Sequence, residues 1–127
     1  MKRFNSIKKN DEFRRIYKNG KSYANKYIVM YIYENEGQTN RIGISVSKKV
    51  GNSVVRHRLT RLIREVFRLN EDYLKKGYDI IVIVRNNSKD LDYKKMESAY
   101  LHLCKLHNIL NWVDYNEKNT DFYYKVL

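Results

Sequence analysis

The chain has 127 residues, of which 26 are lysine or arginine and 14 are aspartate or glutamate, so its formal net charge is +12. This length suits one folded domain, and we expect residues 1–127 to form a single domain. A charge surplus of this size is typical of proteins that bind a polyanion, either nucleic acid or an anionic membrane. No run approaches the roughly 20 apolar residues that span a bilayer, and the N-terminus lacks the apolar centre of a signal peptide. The single cysteine, Cys104, excludes an internal disulfide and favours a reducing, cytoplasmic setting.

The first half of the chain is predicted to contain one helix and two strands. Residues 10–19 place apolar side chains on one side of a helix, and Gly20 follows as a common helix stop. Residues 27–33 are β-branched and aromatic, which predicts a strand. After a polar turn, residues 41–47 alternate between an apolar face (Ile42, Ile44 and Val46) and a face of small residues (Gly43, Ser45 and Ser47). The small face leaves room for something to lie on it.

The second half is predicted to contain two helices and one buried strand. Asn52 or Ser53 can cap a helix that runs to about residue 70. Residues 78–84 form a continuous apolar run suited to a central strand, and helical spacing continues from residue 91 to about 110. This order predicts an α+β sandwich with helices on a mainly antiparallel sheet. Residues 111–127 mix aromatic and charged residues without a period, so the pattern assigns no structure to this C-terminal extension.

The helix predicted to end near residue 70 separates apolar and cationic residues around its axis. At about 100° per residue, an apolar stripe (Val55, Leu59, Leu62, Ile63 and Val66) lies almost opposite a cationic sector (His57, Arg61, Arg64 and Arg68), which Arg56 and Arg58 flank. A charge run of this kind is most often a solvated face. This helix, however, has Glu65 as its only acid, so it forgoes the i,i+4 pairs that stabilise solvated helices. Lys48 and Lys49 also precede its N-terminus, where the macrodipole disfavours cations. Because arginine forks fit phosphate groups, we expect this surface to bind nucleic acid.

The same region carries a family resemblance. Residues 41–68 read RIGISVSKKVGNSVVRHRLTRLIREVFR. This run closely resembles the signature of the bacterial ribonuclease P protein subunit, Ser-Lys-Lys-(Val/Ile)-Gly-Asn-Ala-Val-x-Arg-Asn-Arg followed by further arginines. Matching residues begin near residue 5 and continue to about residue 108. The chain departs from the family at His57, where the family has asparagine, and at Thr60, a commonly basic position.

The resemblance implies both a fold and an activity. The fold would be a two-layer α/β sandwich of order α-β-β-β-α-β-α, ribosomal protein S5 domain 2-like, whose extra strand comes from splitting residues 22–33. It would contain a left-handed β-α-β crossover, whereas the general rule predicts a right-handed one. The activity would be that of ribonuclease P, an endoribonuclease that removes the 5′ leader of precursor tRNA. The partners implied are the catalytic RNA, which holds Mg²⁺ and performs the hydrolysis, and precursor tRNA, with no membrane and no obligate protein partner.

Two sets of site residues follow from the cationic helix and the resemblance together. The RNA-binding set is Lys48, Lys49, Asn52, Arg56, His57, Arg58, Arg61, Arg64 and Arg68. The set implied for a leader cleft is Phe13, Tyr17, Val29, Tyr31 and Ser45. There, unpaired nucleotides would stack on aromatic rings beside cations. Core packing is the competing interpretation for Phe13 and Tyr31.

No residue pattern predicts a catalytic or metal site made by the protein itself. His102 and His107 would lie about 140° apart on a helix, so they cannot converge on one ion. Cys104, beside the apolar stripe of that helix, is expected to be a buried small hydrophobe. The acidic pairs fall at the predicted ends of elements, where carboxylates cap helices or lie in turns.

Two other functions remain open at this level. The first is static binding of ribosomal RNA by a ribosomal or ribosome-assembly protein, which uses the same cationic surface. The second is a self-sufficient, metal-dependent nuclease.

Overall fold

The computed structural model describes residues 5–111, so the predicted C-terminal extension beyond residue 111 lies outside the described residues. The elements in chain order are β1 (Asn5–Ser6), α1 (Asn10–Asn19), β2 (Lys21–Ala24), β3 (Ile28–Glu34), β4 (Arg41–Ser45), α2 (Ser53–Asn70), a short 3-10 helix (Glu71–Tyr73), β5 (Tyr78–Val84) and α3 (Tyr93–Leu106). Apart from β1 and the 3-10 helix, this is the α-β-β-β-α-β-α order that the resemblance implies. No helix within these described residues is long and apolar enough to cross a membrane.

The strands form one mixed sheet in the order β1-β4-β5-β3-β2. β3 runs antiparallel to β2 and β5, whereas β4 runs parallel to β1 and β5. The expectation of a mainly antiparallel sheet is therefore wrong for half of the pairings. The cause is α2, because a helical crossover returns the chain to start β5 in the same direction as β4. The hand of this β-α-β crossover stays an expectation from the resemblance.

The sheet buries its two faces unequally. On one face, α2 and α3 pack against the alternate residues of β3 and β5 and form the main core, which includes Met30, Ile63, Phe67, Ile80 and Leu103. On the other face, α1 packs alone and forms a small cluster around Ile7, Ile16 and Ile81. Since successive strand residues point to opposite faces, β3 and β5 supply both clusters.

The first helix has the predicted bounds, but Gly20 does not end it through the left-handed conformation that is common for glycine at a helix C-terminus. Gly20 donates its backbone N–H to the Ile16 carbonyl at 2.7 Å, with φ of −82° rather than a left-handed value. A Cβ at this position would lie 2.7 Å from the Ile16 carbonyl oxygen of α1 and 2.9 Å from the Ile32 carbonyl oxygen of β3. Glycine is therefore favoured because the end of α1 and β3 both approach this position closely.

The second and third helices show how caps set boundaries. Asn52 is the N-cap of α2, and its side chain accepts a hydrogen bond from the Val55 N–H at 3.0 Å. Asp92 caps α3 in the same way, so that helix begins later than the predicted residue 91. It also ends at Leu106, because Asn108 adopts a left-handed φ of 58° and turns the chain away from the helical direction that the apolar spacing predicts. β4 likewise ends at Ser45 rather than at residue 47.

Candidate nucleic-acid interface

The outer side of α2 carries the predicted cations. Leu59, Ile63 and Val66 are buried against the sheet, as the apolar stripe requires. The opposite side exposes His57, Arg61, Arg64 and Arg68, and the turn before the helix exposes Lys48 and Lys49. Within residues 5–111, the side chains of Arg61 and Arg64 make no hydrogen bond or ion pair. Their guanidinium groups are therefore available to phosphate groups.

Other members of the predicted RNA-binding set already have partners. Asn52 is occupied as the cap of α2. Arg68 pairs with Glu65 on the helix surface, an exposed pair that phosphate can displace at small cost. Arg58 donates to two backbone carbonyls of the segment before α3. Arg56 is half-buried, and its Nε has no partner among the described residues.

Three of the predicted leader-cleft residues form a row of aromatic rings. The ring centroids of Phe13 and Tyr17 on α1 are 6.1 Å apart, and those of Tyr17 and Tyr31 are 5.0 Å apart in an edge-on arrangement. The Ser45 side chain on β4 lies beside Tyr17, and both line the same depression. Burial and the neighbouring Tyr31 raise the pKa of Tyr17, against the effect of the Ser45 side chain, so the hydroxyl stays protonated at neutral pH. Val29 lies on the same face of β3, two residues from Tyr31.

Two of these rings, those of Phe13 and Tyr17, border a shallow depression on the sheet. It is lined by Asn10, Phe13, Arg14, Tyr17, Ile44 and Ser45. Arg14 was missed from the sequence, although a cation directly after Phe13 on an exposed side of α1 could have indicated it. The depression thus combines aromatic faces, a hydroxyl group and a cation, which together suit an unpaired nucleotide and its phosphate.

The small face predicted for β4 is partly filled by the chain itself. A Cβ on Gly43 would lie 2.8 Å from Cζ of Phe13 and 3.2 Å from Cβ of Ile7, so the glycine makes room for the Phe13 ring. Ser45, two residues later, lines the open depression. Phe13 is accordingly both a packing residue and a wall of the depression. The two interpretations of this residue are compatible.

A buried charge cluster anchors α1 at the end of the sheet opposite Ser45. Arg41 donates to both carboxylate oxygens of Asp79 at 2.8 and 2.6 Å and to Glu12 of α1 at 2.6 Å. Asp79 is fully buried and also accepts from Asn35 at 2.9 Å. Burial alone would raise the pKa of Asp79, but the hydrogen bonds from Arg41 and Asn35 hold it below its usual value. The cluster was missed from the sequence, where a lone aspartate inside an apolar strand could have indicated it.

The histidines and the cysteine of the last helical region have structural partners. The His102 ring lies 3.3 Å from the Asn25 amide, and the His107 Nε2 lies 2.9 Å from the Met30 carbonyl oxygen. Cys104 is fully buried, as expected, and burial raises the pKa of its thiol. In the part of the chain that the structure describes, no group of three or more His, Cys, Asp or Glu residues could hold a metal ion.

A basic α/β sandwich with an exposed arginine helix and an aromatic depression defines an RNA-binding protein, and comparison with known proteins gives its family. The family model described as Ribonuclease P matches residues 1–107. The ribonuclease P protein component of Lachnoclostridium phytofermentans is 56% identical over 106 residues, which cover 84% of this chain and 91% of that protein. A second relative, from Clostridium botulinum strain Langeland, is 54% identical over 108 residues, 84% of this chain and 97% of that protein.

Solved structures agree with the sequence matches. The Staphylococcus aureus RNase P protein superimposes with a TM-score of 0.78 at 41% identity, covering 86% of this chain and 100% of that one. The Thermotoga maritima RNase P protein gives a TM-score of 0.74 at 33% identity, covering 80% and 96%. The chain therefore belongs to the ribonuclease P protein family, the protein subunits of a tRNA-processing ribonucleoprotein. These matches give no support to the ribosomal alternative.

Proposed function

We propose that this chain works in the cytoplasm as the protein subunit of ribonuclease P, with separate surfaces for two RNAs. The outer side of α2 binds the catalytic RNA, and the depression between α1 and β4 binds the 5′ leader of precursor tRNA. The observation that carries the proposal is the position of these surfaces on opposite sides of the sheet. One protein can then contact the enzyme's RNA and the substrate at the same time.

The α2 surface supports binding to a folded RNA. Arg61 and Arg64 present guanidinium groups that have no partner among the described residues, and Lys48 and Lys49 extend the cationic surface beyond the N-terminus of the helix. Each phosphate that such a group neutralises releases condensed counterions, which makes binding strongly dependent on salt. We include Asn52, Arg56, His57 and Arg68 in this surface because they lie on the same helix or at its cap.

The depression supports binding to a single strand. It is lined by the rings of Phe13 and Tyr17, the Ser45 side chain and Arg14, and Tyr31 contacts Tyr17 from the same face of β3 as Val29. A base that stacks on one aromatic ring gains about 1–3 kcal/mol without sequence preference. Leaders of differing sequence could therefore use the same site.

We assign the hydrolysis, and the Mg²⁺ that it requires, to the RNA subunit. The carboxylates best placed to act as acids or bases already hold the fold together. Asp79 is bound by Arg41, Glu12 by the same guanidinium group, and Asp92 caps α3. The contribution of the protein is then to reduce the repulsion between two polyanions and to hold the leader.

The test is cleavage of precursor tRNA by rigorously RNA-free protein, by cognate catalytic RNA, and by both together. We expect no cleavage by the protein, cleavage by the RNA at high Mg²⁺, and cleavage at lower Mg²⁺ when the protein is added. The double variant Arg61→Ala/Arg64→Ala is the matched control, and it should need more Mg²⁺ than the wild type. Specific 5′ cleavage by the RNA-free protein would overturn the assignment of chemistry to the RNA.

Copurification from cells distinguishes a ribonuclease P subunit from a ribosomal protein. A ribonuclease P subunit isolated from cells should carry one abundant RNA, whereas a ribosomal protein should follow ribosomal particles. Recovery with ribosomal particles alone would contradict the proposal.

A further inference from the structure

The segment 85–91, which joins β5 to α3, is tied down on the side facing the turn between β2 and β3. The backbone N–H of Arg85 and the hydroxyl of Ser88 both donate to the Tyr27 carbonyl, at 2.9 and 2.7 Å. Ser88 is buried, and within the segment its N–H donates to the Arg85 carbonyl at 3.1 Å. These bonds fix the first half of the segment.

The second half of the segment is held from α2 by Arg58. One terminal nitrogen of its guanidinium group donates to the Leu91 carbonyl at 2.8 Å, and the other donates to the Lys89 carbonyl. The two acceptors are 31 and 33 residues away in sequence. In the described residues, Arg61 and Arg64 on the same helix make no such bonds. Arg58 therefore differs from its cationic neighbours in what it touches.

The first half of the segment forms a wall beside the proposed leader site. Residues 85–87 line a second depression together with Ser45, Ser47 and Ile83, and the two carbonyls that Arg58 binds follow shortly after them in the chain. Ser45 also lines the depression that contains Phe13, Arg14 and Tyr17. The two depressions therefore adjoin at Ser45. A strand that leaves the aromatic rings across this serine meets the segment 85–91 next.

We propose that Arg58 is a positioning residue: it holds the second half of the segment 85–91 and thereby keeps residues 85–87, the far wall of the leader path, in place, instead of neutralising a phosphate of the catalytic RNA. The proposal rests on the proposed function for the meaning of that path. Its physical basis is the guanidinium fork, whose two terminal nitrogens each donate to a carbonyl of the segment, which orients the group toward the segment and leaves fewer of its five N–H donors for phosphate.

The first arm of the test uses free protein and hydrogen–deuterium exchange at the backbone amides of residues 86–91. Removing the Arg58 bonds should speed this exchange in Arg58→Ala by at least about three- to tenfold, the range of one ordinary hydrogen bond. Arg61→Ala is the matched control because it removes an arginine without a partner in the described structure, and its exchange in this segment should equal that of the wild type. Equal exchange in Arg58→Ala and wild type would overturn the proposal.

The second arm uses the holoenzyme and asks which RNA loses affinity. For Arg58→Ala, the salt dependence of binding to the catalytic RNA should keep the wild-type slope, whereas Arg61→Ala should flatten it by up to about one unit on a log–log plot. The advantage of precursor with a leader over mature tRNA should fall about three- to tenfold in Arg58→Ala. Ser88→Ala, which loosens the same segment without changing charge, should lower that advantage in the same direction.

The outcomes separate this proposal from the proposed function. A flattened salt slope in Arg58→Ala, or a leader advantage that survives in both Arg58→Ala and Ser88→Ala, would overturn the positioning role. If the wild-type holoenzyme itself shows no leader advantage, the leader site is wrong, and the positioning of a leader path by Arg58 is overturned with it. In that case the exchange experiment still reports whether Arg58 holds the segment, so the two failures are distinguishable.

Discussion

The same strands supply a fully buried core on one face of the sheet and half-buried residues on the other. On the face under α2 and α3, β3 contributes Ile28, Met30 and Ile32, all of which are buried. On the face under α1, the same strand contributes Val29, Tyr31 and Tyr33, all of which are only half-buried. Among residues 5–111, two helices cover the first face and one covers the second. The proposed recognition surface therefore lies on the face of the sheet that the described helices leave partly uncovered.

The uncovered face needs residues that tolerate both packing and water. Tyrosine meets this need because its ring packs while its hydroxyl group hydrogen-bonds, and its flat face remains available to a base. Tyr17 is 37% exposed although it contacts Tyr31 and Ser45. The covered face is instead mostly aliphatic, and its two largest fully buried aromatic residues are Phe67 and Tyr100.

The largest expected effect tests the covered face. Phe67 is fully buried between α2 and the sheet, so Phe67→Ala should lower the free energy of unfolding by about 3–5 kcal/mol through lost burial and a cavity. Tyr31→Ala on the uncovered face is the matched variant and should cost about 1–2 kcal/mol. Urea denaturation of both variants measures the difference. Equal losses would show that both faces are core and that the comparison is wrong.

A smaller effect concerns the charge cluster that anchors α1. Asp79→Asn should cost roughly 2–4 kcal/mol at pH 7, below the full cost of breaking a buried pair because Arg41 keeps Glu12. Since the folded-state pKa of Asp79 is lowered, its contribution is present above about pH 4, the usual aspartate pKa, and is lost as pH falls through the folded value. The difference between wild type and variant should therefore shrink in acid.

Denaturation at several pH values checks the anchor, with Glu12→Gln as the control. That variant removes only the partly exposed partner of Arg41, so it should cost about 1 kcal/mol or less. A constant difference between Asp79→Asn and wild type from pH 7 down to pH 2 would contradict the role assigned to the ionised carboxylate.

The smallest effect separates the leader site from the α2 surface. If Tyr31 stacks on a leader nucleotide, Tyr31→Ala should weaken holoenzyme binding of leader-bearing precursor by about 1–3 kcal/mol and leave mature tRNA almost unaffected. Arg64→Ala should do the reverse, weakening assembly with the catalytic RNA. Binding of both substrates by both variants is the measurement.

Tyr31→Phe sharpens this test because it keeps the ring and removes only the hydroxyl. Stacking predicts near wild-type affinity for the leader in this variant. If Tyr31→Ala weakens both substrates equally, Tyr31 is a structural residue and does not belong to the leader site.

Much of this arrangement was predictable from the sequence because it depends on neighbours along the chain. Helical spacing predicted both the buried stripe of α2 and its exposed cations, and Asn52 was one of two predicted caps. The run 78–84 predicted β5 with its observed bounds. Alternation predicted the small face of β4 that includes Ser45, whereas the family resemblance implied that Tyr31 belongs to the same cleft; the strand pairing places both on one face of the sheet. The sides of α2 and the bounds of β5 were predictable because they follow from the spacing of apolar residues within one element.

Other features depended on residues far apart in the sequence. The ion pair between Arg41 and Asp79 joins residues that are 38 positions apart in the sequence. The packing of the Phe13 ring against Gly43 joins α1 to β4. The end of α3 depended on the bridge between Leu74 and Leu110, which competes with the helical spacing of the last apolar residues. No periodicity along one element encodes such contacts.

By itself, the sequence determined the type of each main element, the apolar and cationic sides of α2, and the family. Each of these depends on residues that lie close together in the sequence. The tertiary structure alone decided the β1-β4-β5-β3-β2 order and the partly uncovered face on which the aromatic rings meet. It also decided that Arg58, which the sequence places among the cations, points its guanidinium group at carbonyls of another segment. The physical reason is that a side chain's charge is local, whereas its partner is whatever the packing of the whole chain brings within reach.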